Sequence, residues 1–577
     1  MAKRQGAVHV ATTRRKYKGR VYETHLLRRS YRVGNKVLHE TVGNLSHLPP
    51  EAIDLVRRSL AGERFVGVSE GFSVEKSEPY GHVRAVLGAI RKLGLEELVA
   101  AKKSRLRDLV VALIAERLLH PASKLGTVRL WGLSALGKEL GVSDASVNEV
   151  YAALDWLAER QTAIEKKLAK RHLEDGATVL YDTSNSYYEG ASCPLARFGH
   201  GKDGKRDLPV IGYGVMTDRE GRPIAMDVYP GGTGDPSLVA SQIPKLQKLF
   251  GLKKVVMVGD RGLLARTKIA VLKEHPGIGW ITALRSEGIR KLRNDGRLQP
   301  TLFDETNLAE IESPDFPGER LVACFNPALC EERGRKREAL LAAAKKAMSK
   351  IEAEAAKRTR KPLTVSELGY KIGKALAKHK MAKHIIWEAK EGRLLWRVDG
   401  ASVRMEKELD GIYVVRTSEP KEALSAKDAV QAYKGLANVE RVFRCMKGID
   451  LKVRPIYLAT EPHVKAHFFL CMLAYYVEWH MRRALAPLLF ADEELPAMTS
   501  RPDPVAPQRP SAKAMAKKAS RRAEDGLEAH SFDTLLMALA AQCENTCRVN
   551  LPPQGRTFES ITEPTPLQRR AYQLLGL

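Results

Sequence analysis

The chain has 577 residues, which at roughly 150 residues per domain implies about four compact units. Lysine and arginine total 95 against 68 acidic residues, a net charge of +27, which excludes an acidic solvating chain and points to a polyanionic partner. Apolar residues make up 44%, enough for sizeable cores, so a small disulfide-stapled scaffold is excluded as well.

Nucleic acid or an anionic membrane would suit that charge, and nucleic acid is the expected partner. No uncharged apolar run reaches the ~18 residues of a spanning helix. The best stretch, Ala466 to Val477, contains His467 and continues into Glu478, Trp479 and His480, as a buried core helix would. Met1-Ala2-Lys3-Arg4 has no apolar segment behind it, so no secretory signal and a reducing, cytoplasmic setting are expected. The seven cysteines are irregularly spaced, and Cys543-x3-Cys547 has no second pair to complete a zinc site. Ordinary thiols are expected.

Residues 1–75 alternate as strands do, with a turn at Gly34-Asn35, and carry Arg14, Arg15, Lys16, Lys18, Arg20, Arg28 and Arg29. They read as a basic β-hairpin module, either a solvated face or a DNA-contacting one. Residues 76–176 have helical periodicity and read as a helical DNA-binding or core-flanking domain. From 177 the pattern becomes α/β. Short strands are expected at 177–181, 210–216, 223–229 and 255–258, with a helix at 245–250.

Residues 281–415 interrupt that pattern with a long charged helix at 331–360, read as a solvent-facing hairpin, and with strands at 394–398 and 411–415. Helices are expected at 426–448 and 461–485. Residues 491–577 read as a flexible basic linker, Pro-, Ala-, Ser- and Lys-rich over 501–525, and a C-terminal tail with a short helix at 534–542.

Two acids follow apolar strands: Asp182 after Val179-Leu180-Tyr181, and Asp260 after Val255-Val256-Met257-Val258-Gly259. Functional groups gather at the carboxyl ends of strands in open α/β sheets, although aspartate there also starts turns and caps helices. A third acid, Glu440, shares a helical face with Tyr433, Leu436, Phe443 and Lys447, while Ala432, Val439, Val442 and Met446 pack inward beside it. By spacing alone the favoured reading is an ordinary amphipathic helix with an exposed glutamate and an i+7 lysine.

Together these residues resemble the acidic triad of bacterial insertion-sequence transposases of the DDE type. Tyr433-x2-Leu436-x3-Glu440-x6-Lys447 is similar to the Tyr-x2-Arg-x3-Glu-x6-Lys signature of one group of them, with leucine in place of arginine. Gly199–Pro209, Gly259-Asp260-Arg261-Gly262, Asp410–Val414 and Arg454-Pro455-Ile456-Tyr457 through His467 resemble further segments of that group. The resemblance covers about 177–485.

It implies an RNase H-like mixed-sheet core, 177–280 completed by 416–490, with 281–415 as an insertion domain. The acids are 78 and then 180 residues apart, and the second interval is longer than a core needs. It also implies two Mg²⁺ ions, with Mn²⁺ able to substitute, held by Asp182, Asp260 and Glu440, the first bridging both. Mg²⁺ prefers carboxylate oxygen, and a metal pair serves both the attacking and the leaving oxygen of a phosphodiester. Tyr433, Lys447, Arg261 and Arg444 are the expected DNA contacts. Leu436 cannot make the ionic contact of the signature arginine, and Arg441 or Arg444 are the candidate substitutes.

The implied activity is binding of terminal inverted repeats, strand cleavage and strand transfer into target DNA, by a dimer or larger assembly on paired ends. A general RNase H-like nuclease and a non-catalytic DNA-binding relic are the rival readings.

Overall fold

The computed structural model describes residues 6–65, 67, 71–199, 201, 207–233, 235–303, 306–390, 392–494, 503–506, 509–550 and 556–577. The chain divides into two units, Met1–Ser77 with Glu544–Thr562, and Glu78–Cys543 with Glu563–Leu577.

In the smaller unit, β1 (Ala7–Tyr17), β2 (Arg20–Val33) and β3 (Lys36–Asn44) form an antiparallel sheet. Both turns hold two residues: Lys18-Gly19, both at positive φ, and the expected Gly34-Asn35. Arg14, Arg15, Lys16, Lys18 and Arg20 are all exposed around the first turn. Helix α1 (Pro50–Leu60) lies against β1. A second sheet places β4 (Phe72–Pro79) beside Cys543–Val549, which pairs in turn with Thr557–Ile561.

The larger unit begins with helices, as expected. They include α2 (Gly81–Lys92), α3 (Arg105–Leu119), α4 (Lys124–Leu130) and α5 (Val147–His172). Ser146 caps α5 in a reciprocal capping box with Glu149.

An eight-stranded mixed sheet follows. β5 (Ala177–Tyr187) pairs antiparallel with β6 (Val210–Asp218), and β6 with β7 (Pro223–Pro230). On its other side β5 pairs parallel with β8 (Val255–Val258), and β8 with β9 (Ile278–Ala283). The spatial order from that edge is therefore β7-β6-β5-β8-β9. The mixed α/β class is as expected.

β5 is longer than the expected 177–181. Thr183, Ser184, Asn185 and Ser186 pair with Gly214, Tyr213, Gly212 and Ile211, so a polar stretch that reads as loop is strand. Asp182 consequently lies within β5 rather than after it.

Beyond β9 the sheet gains β10 (Leu308–Ile311) and β11 (Arg320–Phe325), joined through β14 (Ile412–Thr417). The segment 281–415 thus contributes three strands to the main sheet. Its other elements include α6 (Pro327–Lys357), α7 (Val365–His379) and the hairpin β12 (Ile385–Lys390)–β13 (Arg393–Val398). The charged helix is not simply solvent-facing. Ala344, Met348 and Ile351 pack with Leu368, Ile372 and Leu394 in a separate core. Arg337 on α6 forms a buried two-pronged ion pair with Asp410, ahead of β14.

The stretch expected as one helix over 426–448 is divided. α8 (Ala426–Lys434) stops at Gly435, α9 (Leu436–Arg444) follows, and Cys445–Ile449 continues as a π-turn. A Cβ on Gly435 would lie 3.3 Å from Leu180 Cδ1 and 2.9 Å from the Ala432 carbonyl, so the glycine permits a close approach to β5.

Helix α10 (Glu461–Ala484) matches the expectation and runs through the core between α3 and α5. Phe468, Phe469 and Tyr476 on it are fully buried.

The C-terminal segment departs from the linker-and-tail reading. Ala512–Ser520 is helical, and its Lys517 is buried, donating to the carbonyls of Ala486 (3.3 Å), Leu489 (3.2 Å) and Ala491 (3.4 Å). A basic composition reads as solvated, whereas this lysine closes the C-terminal carbonyls beyond α10. Phe532–Ala540 and Pro566–Leu575 are helices, and Tyr572 donates to Gln542 Oε1 at 2.6 Å.

Candidate active site

The parallel register of β5 and β8 sets the two aspartates level. Leu180 pairs with Val258, and two residues further along each chain stand Asp182 and Asp260. Their carboxylates are oriented locally. The Thr183 N–H donates to Asp182 Oδ1 at 2.7 Å. The N–H groups of Gly262 and Leu263 donate to Asp260 Oδ1 at 3.0 and 2.6 Å. Asp260 is exposed and Asp182 half-buried.

Glu440 arrives from α9. The opposite side of that helix is buried through Val439, Val442 and Phe443, which leaves Glu440 exposed. Phe443 meets the Tyr213 ring edge-on at 5.6 Å, and Tyr213 packs on Phe468 at 4.6 Å. The helix is thereby seated on both β6 and α10. Phe443 does not share the Glu440 face as expected; it lies in the core.

Tyr433 lies within electrostatic reach of all three acids. Burial raises its phenol above the usual tyrosine range. Asp260, Glu440 and Asp182 all push the same way, and Arg261 opposes them. One half-buried hydroxyl thus lies in the field of all three carboxylates and one guanidinium. At neutral pH it is protonated and able to donate a hydrogen bond.

Arg261, Arg441 and Arg444 are exposed, and Lys447 is half-buried on the π-turn. Leu436 belongs to the main core, only 9% exposed. Its side chain packs in the core and does not face solvent. Lys447 instead lines an open groove of about 340 Å³ with Tyr187, Lys452, Arg454 and Tyr457. At 3.3 Å per strand residue, Tyr187 lies about 16 Å along β5 from Asp182.

Among the described residues, the tightest group of potential metal-binding atoms is not this triad. Cys445, Asp450 and Glu478 bring one ligand atom each within 4.8 Å of one another. Arg482 occupies their charge, donating to Glu478 Oε1 at 2.6 Å and to Asp450 Oδ1 at 2.8 Å. Burial pushes the Glu478 carboxyl up to about 7, against the pull of Arg482. The pair ties the π-turn to α10. Glu478 and Arg482 stand at the i,i+4 spacing of a helical ion pair, the one signal of this arrangement in the sequence. The seven cysteines are thiols outside any disulfide, as expected.

Buried cations from the helical region hold the following loop. Arg117 on α3 donates to the carbonyls of Leu451 and Lys452, each at 3.5 Å, and to Ala122 at 3.2 Å. His467 Nε2 donates to the Val453 carbonyl at 3.0 Å, which leaves Nδ1 to accept from Lys124 Nζ at 3.1 Å. Periodicity cannot reveal these contacts, because lysine and arginine on a helix normally read as its wet face.

Burial and, secondarily, Arg117 push the Lys124 ammonium down from 10.5 to about 7. Between those values the unfolded chain keeps a proton that the folded chain sheds, so this group makes stability rise with pH. Lys124→Met is therefore expected to flatten the curve. From pH 7 to 9 the wild type should gain on the variant by up to about 1.4 kcal/mol per pH unit in urea unfolding. Parallel curves would exclude a titrating Lys124.

Residues 10–69 match the family model described as IS1634 family transposase, N-terminal domain. This match supports an insertion-sequence transposase and covers the basic three-stranded unit. No curated protein matches the chain. Among solved structures, the chain aligns with a piggyBac transposase synaptic complex with hairpin DNA at 9% identity and a TM-score of 0.32, over 82% of this chain and 81% of that one. Among the described residues, no helix is long and apolar enough to cross a membrane.

Proposed function

We propose that the chain is a DDE-type DNA transposase that cuts at the ends of an insertion sequence and joins them to target DNA. One observation carries the reading. Asp182, within β5, stands level with Asp260, just past the end of the adjacent parallel strand β8, and Glu440, 180 residues beyond Asp260, acts on the same tyrosine. The β7-β6-β5-β8-β9 order, three antiparallel strands followed by two parallel ones, supports an RNase H-like core. The family match over residues 10–69 supports the assignment to insertion-sequence transposases.

The acids fit Mg²⁺ by donor chemistry, since all three offer only carboxylate oxygens and two are pre-oriented by backbone N–H groups. Asp182, Asp260 and Glu440 would hold two Mg²⁺ ions, for which Mn²⁺ can substitute. Bound there, the metal would activate a water or 3′-hydroxyl and offset charge on the leaving oxygen. The protonated Tyr433 hydroxyl donates to a phosphate oxygen. Arg261, Lys447 and Arg444 supply phosphate contacts that position the strand. The basic N-terminal unit reads the inverted repeats, and the working assembly is a dimer or larger on paired ends, in the bacterial cytoplasm at the nucleoid.

The test is to incubate the protein with Mg²⁺ or Mn²⁺ and a plasmid carrying its own gene with flanking DNA, then map strand breaks. Breaks confined to matching inverted repeats are expected. Scattered breaks would favour a general nuclease, and retained binding without breaks a DNA-binding relic.

A further inference from the structure

We propose that the groove at the far end of β5 is a seat for an unpaired DNA nucleotide, with Tyr457 as its stacking platform and Lys452 and Arg454 as its phosphate ligands. The choice of DNA rests on the function proposed above; the geometry of the groove does not.

The loop from Asp450 to Leu458 is held from beneath at successive positions. Arg482 binds the Asp450 carboxylate. Arg117 binds the carbonyls of Leu451 and Lys452, and His467 that of Val453. The Glu189 N–H donates to the Ile456 carbonyl at 3.1 Å, and the Tyr188 hydroxyl to that of Leu458 at 3.1 Å. The Leu451 and Val453 N–H groups bond back to Cys445 and Met446. Lys452 sits at φ +43°, a conformation that a lysine adopts only when its surroundings impose it.

A loop anchored in this way presents its outward side chains in fixed places. Tyr457 is 62% exposed although it carries a large apolar ring. Lys452 is exposed beside it, and the Arg454 guanidinium lies over the Tyr187 ring at 4.5 Å. Three cations, Lys447, Lys452 and Arg454, outnumber the one acid lining the groove, Glu189, and with the exposed Tyr457 ring they suit a single strand, because every base has a π-face and every linkage a negative charge. A regular duplex hides its base faces, so only an unpaired nucleotide uses Tyr457.

The test uses the full-length protein and fluorescein-labelled oligothymidine of roughly 12 nucleotides, within the usual site size. A duplex of the same length serves for comparison. Fluorescence anisotropy gives both affinities for the wild type, Tyr457→Ala, Tyr457→Phe and Glu440→Gln. Tyr457→Ala is expected to weaken single-strand binding about tenfold, with Tyr457→Phe restoring it and duplex affinity unchanged. Equal loss on both probes, or no loss on either, would overturn the proposal. Glu440→Gln should bind the single strand as the wild type does. A chain that never cleaves DNA but shows the Tyr457 effect refutes the catalytic reading alone. A chain that cleaves without the Tyr457 effect refutes the groove alone.

Discussion

Glu440→Gln is expected to lower strand cleavage by at least about a thousandfold while leaving duplex affinity within about twofold. The substitution keeps the shape of the side chain and removes its charge. Glu440 is exposed on α9, so the fold loses little, within about 0.5 kcal/mol for an ordinary surface position. Duplex affinity derives from the chain's excess of cations, +27 in all, and one acid among 68 hardly changes it. Asp182→Asn and Asp260→Asn should lose activity to a similar degree. The three variants combined should be scarcely worse than one, because groups acting as a unit are not additive. Residual cleavage within tenfold of wild type would remove Glu440 from the chemistry.

Phe443→Ala is expected to cost about 3–5 kcal/mol, the usual range for emptying a buried aromatic site. Phe443 is 6% exposed and meets Tyr213, which is fully buried and packs in turn on Phe468. Deleting the ring leaves a cavity at the junction of β6, α9 and α10, where α9 gains its footing. Stability and cleavage should therefore fall together, whereas Glu440→Gln affects cleavage alone. Urea unfolding followed by tryptophan fluorescence reads the first, because Trp280 lies in the same core. A loss under about 1 kcal/mol would mean that the site collapses around the missing ring and that α9 is held otherwise.

These contrasts mirror what the sequence makes legible. Asp260 follows a short, fully apolar strand and precedes a turn, so its place at a strand end can be read directly. Asp182 cannot be placed so well, because Thr183 to Ser186 look like loop residues and become strand only through pairing with β6. The helix carrying Glu440 is evident from periodicity, but its break is not. The break falls at Gly435, which approaches Leu180, a contact between positions 255 residues apart in the chain (435 − 180). Leu436 illustrates the same limit. Set beside the signature it looks like a lost ionic contact, whereas in the fold it is core packing.

The least legible features are buried cations. Arg117, Lys124 and Lys517 belong to a composition that reads as solvated, yet each points inward to carbonyls or to a histidine. Such burial depends on long-range partners, which neither local pattern nor charge count records. Likewise 281–415 reads as one inserted block, but Leu308–Ile311 pairs with Arg320–Phe325, and that strand pairs with β14, which joins both to the main sheet.

The most direct measurement is anomalous diffraction from the protein crystallised with Mn²⁺ and an oligonucleotide. Mn²⁺ peaks among the carboxylates of Asp182, Asp260 and Glu440, absent in Glu440→Gln, are expected if these acids form one metal centre. Mn²⁺ bound at Cys445, Asp450 and Glu478 instead, or an acid triad that stays empty beside bound DNA, would contradict it.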